Sequence, residues 1–158
     1  MKTFEIEQFW RAYLASSLAI TAHRNKNVPE AWNFGNTPEM ADQLGHLVLA
    51  GTKTATCALV TDFENGKIPQ VGELSIVLDG QENLLCLIET TEVELKHFNQ
   101  VDEKFASEEG EGDCTLEYWR QVHQDYFTRQ CQQNGETWDE NRMLMCERFK
   151  VLFNRQDS

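Results

Sequence analysis

Long apolar runs are missing from this chain. No window reaches the roughly 18 uninterrupted apolar residues that a membrane-spanning helix needs, and Met1-Lys2-Thr3-Phe4-Glu5 turns acidic at once instead of entering an apolar signal segment. The expectation is a cytoplasmic protein with no membrane partner. Paired cysteines are missing too: Cys57, Cys86, Cys114, Cys131 and Cys146 are an odd, scattered set with no CxxC pair. That spacing speaks against a disulfide framework and against a zinc site, and predicts reduced thiols, no metal and no cofactor. Positive charge is scarce. Lys and Arg number 14 against 26 Asp and Glu, a formal net charge of −12. A protein that grips a long phosphodiester backbone usually carries a basic stripe, so this balance suits a small uncharged nucleoside better than extended RNA, and no DNA partner is expected. Neither low-complexity tracts nor internal repeats at periods of 20–50 residues occur.

What remains is the composition of an ordinary globular protein, 41% hydrophobic and 25% charged over 158 residues. A chain of that length buries roughly two-thirds of its unfolded surface, enough for one core. A single domain over residues 1–158 is the expectation.

Ile6, Phe9, Trp10, Tyr13, Leu14 and Leu18 recur at helical spacing and predict a packing helix over 5–20. Ala31 to Asn36 is aromatic and glycine-bearing without a helical period, and reads as an ordered loop. Thr37 as N-cap with Pro38 at the first helical position opens a second helix that should stop near Gly51. Strands are predicted at 54–60, 74–78 and 84–95, the last two joined through Asp79-Gly80; three strands so close in sequence suggest an antiparallel meander. A short acidic helix near 101–105, a helix from Leu116 through Phe127 capped by Asp113 or Thr115, and a closing strand at 143–153 complete the pattern.

Two separated segments carry a resemblance. Leu49-Ala50-Gly51-Thr52-Lys53-Thr54-Ala55-Thr56 looks like a glycine, spacer, lysine, threonine, variable, threonine signature at a helix-to-strand junction. Phe105-Ala106-Ser107-Glu108-Glu109-Gly110-Glu111-Gly112-Asp113 follows, with Trp119-Arg120 downstream. In this order and separation they resemble the ASCH family, related to the RNA-binding PUA fold, over about residues 32–153. The resemblance implies an α+β fold: a small PUA-like β-barrel of mostly antiparallel strands with flanking α-helices and a cleft. Some members are amidohydrolases that deacetylate N(4)-acetylcytidine through a lysine, a threonine three residues on and a glutamate. Those roles fall on Lys53, Thr56 and Glu109, with Glu108 and Glu111 as rivals for the last.

Residue chemistry sets a condition on that assignment. In an extended segment a three-residue spacing puts Lys53 and Thr56 on opposite faces, so Lys53 must sit at the end of the second helix or in its turn. A desolvated Lys53 there would lose its proton and activate the Thr56 hydroxyl, with Glu109 orienting the lysine or passing a proton to the leaving amine. Without the resemblance, the same residues read as a helix C-cap, a solvated charge and a strand residue, and Glu108 to Asp113 as a solvated loop. Trp32 and Phe34 could stack on a base or staple their loop to the core. Trp119, Tyr126 and Phe127 fit a buried stripe. Arg120 is a candidate substrate contact that, with His123 three residues on, could reach a phosphate or act in proton transfer; a structural role is the alternative. Nothing assigns chemistry to His46. The leading expectation is a metal-free hydrolase of acylated nucleosides; the alternatives are a ribonuclease holding a divalent ion near Glu109, Glu111 and Asp113, and a non-catalytic RNA-binding module.

Overall fold

The structure is a computed structural model and describes residues 2–157. These form four α-helices and five strands: α1 (Lys2–Ala15), β1 (Glu30–Asn33), α2 (Pro38–Leu49), β2 (Ala55–Leu59), β3 (Leu74–Leu78), β4 (Leu84–His97), α3 (Glu103–Glu109), α4 (Leu116–Gln133) and β5 (Met143–Asn154). The strands make one sheet in the order β1-β3-β4-β5-β2, with β1 parallel to β3 and every other pairing antiparallel. The sheet curls into a half-barrel, so the expected α+β class holds, with β1 and β2 left as facing edges.

Local chemistry explains the helix boundaries. Thr37 caps α2 by accepting from the Met40 amide, and Thr115 caps α4 by accepting from Tyr118, as predicted. The first helix ends at Ala15, five residues short of the expectation, because the chain turns at Ser16, whose hydroxyl donates to the Tyr13 carbonyl. Leu18 and Ile20, counted toward its apolar stripe or span, are therefore exposed.

Two strand predictions are corrected. Only β3 and β4 form a hairpin; β2 pairs with β5 at the far edge, because the 60–73 connection carries the chain across the fold. Ala31 to Asn33 is strand rather than loop, in register with Ile76 to Leu78. A four-residue strand in parallel pairing has no adjacent hairpin turn to betray it.

Three apolar clusters fix the helices to the sheet. Phe9, Trp10 and Tyr13 of α1 pack on Ile76, Leu87 and Phe153. Trp119 and Phe127 of α4 meet Phe98, Phe105 and Leu144. Phe34, Val48, Val77, Ile88 and Phe149 fill the space under α2. Each buried large side chain contributes about 1.5–3 kcal/mol before the entropy of ordering is set against it.

One junction positions everything that follows. Gly51 takes a left-handed φ of 79° after α2, and the amides of Thr52 and Lys53 both return to the Leu47 carbonyl. The Thr54 amide then donates to the Glu108 carbonyl at 2.8 Å, tying this loop to the end of α3. Gly110 ends α3 with a φ of 73°, and a Cβ there would lie 2.4 Å from the Thr52 carbonyl oxygen. Gly110→Ala is therefore expected to cost clearly more than the roughly 1–2 kcal/mol of left-handed backbone strain alone. Gly135→Ala, at φ 70° with open space around the new methyl, should cost only that strain. Urea unfolding of the two variants checks this; equal losses would show that the junction is looser than described.

Candidate functional site

Lys53 leaves the turn after α2 and points inward, with only 2% of its surface exposed. Its ammonium group donates to the Ala55 carbonyl at 2.9 Å, to Glu109 Oε1 at 2.9 Å and to Glu111 Oε2 at 3.2 Å, so all three protons are used. It also lies 5.6 Å from the Phe34 ring centroid, within cation–π range. Glu109, the last residue of α3, is 1% exposed. Its second oxygen accepts from Trp119 Nε1 at 2.6 Å and from the Cys57 thiol at 3.3 Å, and His123 Nε2 sits 3.2 Å away.

The His123 ring has a defined role in this group. Its Nδ1 lies 2.9 Å from the Trp119 carbonyl, which can only accept, so Nδ1 carries a proton. Nε2 faces a carboxylate oxygen and needs a proton as well. The ring is therefore an imidazolium while Glu109 is ionised, stacked on Trp119 at 4.3 Å between centroids. Lys53 and His123 as cations balance Glu109 and Glu111 as anions.

Proton affinities follow from this pairing. Burial alone would push the Lys53 ammonium toward deprotonation, but Glu109 and Glu111 outweigh it and its pKa is raised. Burial would raise Glu109 too, yet Lys53, His123 and the Trp119 hydrogen bond hold it far below the usual carboxylate range. For His123 burial opposes the charge and Glu109 restores it, so its pKa is raised. Burial, then Glu109, pushes the Cys57 thiol well up, which leaves it a poor nucleophile.

A cavity of about 120 Å³ lies against this group. Lys53, Thr56, Cys57, Glu109, Glu111 and His123 reach its surface, and Phe34, Met40, Leu44, Val122 and Phe127 supply apolar wall. Among the described residues the Thr56 hydroxyl makes no hydrogen bond, so it is free to meet a ligand.

The half-barrel fold has known counterparts. The family model described as the ASCH domain matches residues 30–153. The chain belongs to the ASCH domain family. An ASCH domain of Lactobacillus crispatus is similar at 33% identity and a TM-score of 0.85, covering 95% of each chain. A protein of Enterococcus faecalis is similar at 33% identity and the same TM-score, over 96% of this chain and 90% of its own. No curated protein matches the chain.

Within this ASCH domain the structure brings Lys53, Thr56 and Glu109 to one cavity, as the resemblance implied. It also separates the rival carboxylates: Glu108 turns away into a bidentate pair with Arg148, while Glu111 supplies a second anion to Lys53. Two readings change. Lys53 is held as an ammonium rather than stripped of its proton, because two carboxylates come with it into the interior. Arg120 is exposed and lies outside the cavity: Trp119, His123 and Phe127 share the buried face of α4 at spacings of four, and Arg120 is rotated about 100° from Trp119. Trp32 packs edge-on against Phe34 and lines a neighbouring chamber that shares Phe34 and Thr56 with this cavity.

His123, with a proton-transfer or a structural role open from its spacing, and Cys57, with none, both belong to the site. The i, i+4, i+8 stripe containing His123 was the available signal. Cys57, Glu109 and His123 also offer ligand atoms within 4.8 Å of one another. Linear spacing hid this group because its members come from β2, α3 and α4. A metal ion there would compete with the Lys53 ammonium already seated on Glu109.

The raised His123 pKa carries a pH signature. Stability from the imidazolium is complete below its ordinary value of 6.5 and is lost as pH rises through the folded value. Stability from ionised Glu109 is present above 4.5 and is lost as pH falls through its depressed value. The unfolding free energy of wild type should therefore exceed that of His123→Gln most near about pH 6, with the gap shrinking toward pH 9. A gap that widens with rising pH would show that the ring is neutral.

Proposed function

We propose that this protein is a hydrolase that removes the acyl group from an acylated nucleoside, with N(4)-acetylcytidine as substrate and cytidine and acetate as products. The observation that carries the reading is the buried Lys53–Glu109 pair at the wall of the cavity that also receives the Thr56 hydroxyl. A structural ion pair has no need of a cavity with a free hydroxyl beside it. Acyl transfer does need a nucleophile, fixed positive charge where an oxyanion develops, and groups that carry a proton to the leaving nitrogen.

Each need has a residue. Thr56 attacks the acyl carbonyl, and the positive charges of Lys53 and His123, whose protons are held by Ala55, Glu109, Glu111 and Trp119, stabilise the developing oxyanion through their field. The hydroxyl proton passes to Glu109, the one unprotonated member of the Lys53–Glu109–His123 group, as His123 gives its Nε2 proton to the departing nitrogen, and Glu109 then returns its proton to His123. Water then cleaves the Thr56 ester, releasing acetate and restoring the hydroxyl. The apolar wall of Met40, Leu44, Val122 and Phe127 suits a small acyl group. The net charge of −12 favours an uncharged nucleoside over RNA.

Turnover of N(4)-acetylcytidine, followed by chromatography of released cytidine, tests the proposal. Lys53→Ala and Glu109→Gln should each lose about 10²–10³-fold in kcat, the scale of losing one electrostatic stabiliser, and Thr56→Ala, which removes the nucleophile, should lose more. EDTA should leave the wild type unaffected. Wild-type rates in the Lys53 and Thr56 variants would remove the proposed site. RNA cleavage abolished by EDTA, with no cytidine released, would favour the ribonuclease alternative.

A further inference from the structure

A second chamber, of about 410 Å³, lies between the facing edges β1 and β2 and adjoins the catalytic cavity. Phe34, Gly35, Thr56 and Cys57 line both, so Thr56 stands at the passage between them. Glu30, Lys67, Glu73 and Glu147 are the charged residues that line this chamber, and Glu147 is the buried one. Glu147 on β5 is 5% exposed, and its only hydrogen bond is the one Thr90 donates to Oε2 at 2.5 Å. Among the described residues it has no cationic partner, and Oε1 has no hydrogen bond.

The second carboxyl oxygen is left open to the chamber, and a largely buried carboxyl group that lines a cavity marks a ligand site. The ladder also places it well: Glu147 is directly opposite Thr56 in the antiparallel β2–β5 pairing. Side chains at such positions share a face with Cβ atoms about 4.5–5.5 Å apart. An amide whose carbonyl carbon is at the Thr56 hydroxyl, with its acyl group in the inner cavity, thus presents its nitrogen side to Glu147. Ser75, 7% exposed, lines the same chamber, and its hydroxyl makes no hydrogen bond among the described residues.

We propose that Glu147 binds the amine half of the substrate, pairing edge-on with the exocyclic N–H and the adjacent ring nitrogen of an aminopyrimidine nucleoside. The inference rests on the acyl-nucleoside reading above and assigns the specificity-determining residue of that reaction. Burial raises the Glu147 pKa, the Thr90 hydrogen bond opposes it, and the Glu73 carboxyl on the same chamber adds to the rise. That favours the acid form, which offers a donor beside an acceptor, the complement of an amino group beside a ring nitrogen. Glutamine offers the same pair.

Calorimetric titration of cytidine and of the pyrimidin-2-one ribonucleoside, which lacks the amino group, separates the outcomes without any turnover. Wild type should prefer cytidine by about 10–100-fold, the span of one good bidentate base contact. Glu147→Gln should keep that preference within a few fold, and Glu147→Leu should bind both ligands equally and weakly. A Leu variant that retains the preference, a folded Gln variant that loses it, or a wild type that shows none overturns the inference and leaves the acyl-nucleoside reading standing. A wild type that binds neither nucleoside overturns both. Should Glu147→Leu fail to fold, the wild-type ligand comparison and the Gln variant still decide.

Discussion

Placing an ammonium group and a carboxylate together in a protein interior is the constraint around which this fold is arranged. Desolvating two ions costs several kcal/mol each, and their attraction offsets it only when the remaining hydrogen-bonding capacity is filled. Lys53 and Glu109 meet that condition: every ammonium proton has an acceptor, and both carboxylate oxygens have donors from β2, α4 or Lys53 itself. Removing either partner from a buried pair generally costs about 3–5 kcal/mol, so the junction of α2, β2 and α3 cannot drift without penalty. The left-handed turns at Gly51 and Gly110 let the two chain segments come close enough to build it.

Around Thr56 the protein keeps two carboxyl groups in opposite conditions. Glu109 has two cationic neighbours and is held ionised; Glu147 has only a threonine hydroxyl and is pushed toward its acid form. Groups whose environments drive their pKa values apart are the usual acid and base of an active site. The division also follows the architecture. Glu109 comes from a helix packed beside one cavity, and Glu147 from the strand that pairs with β2, facing the other.

Much of this was legible in the sequence, for reasons that are local. Thr37-Pro38 and Gly51 bracket α2 by capping chemistry, the 3.6-residue period of Trp119 to Phe127 marks α4, and the glycine, lysine, threonine spacing marks the junction. What escaped depends on tertiary placement. Strand β1 pairs with a partner some 45 residues on, and β2 with one about 90 residues on, so neither pairing leaves a turn signal. Lys53 was expected to lose its proton because desolvation is foreseeable from burial, whereas the two carboxylates accompanying it are not. Arg120 and His123 looked equivalent at three residues apart, and only the burial of the Trp119 face separates them. Glu147 carried no signal at all, sitting in an ordinary alternating strand.

The proposed acyl transfer requires Lys53 and Glu109 to act as one unit. A double-mutant cycle on kcat/KM for N(4)-acetylcytidine, using Lys53→Met, Glu109→Gln and the combined protein, measures that coupling. The double variant should be scarcely slower than the worse single variant, since residues that act as a unit lose their contribution together. Losses that multiply, or a single variant that turns over like wild type, would contradict it.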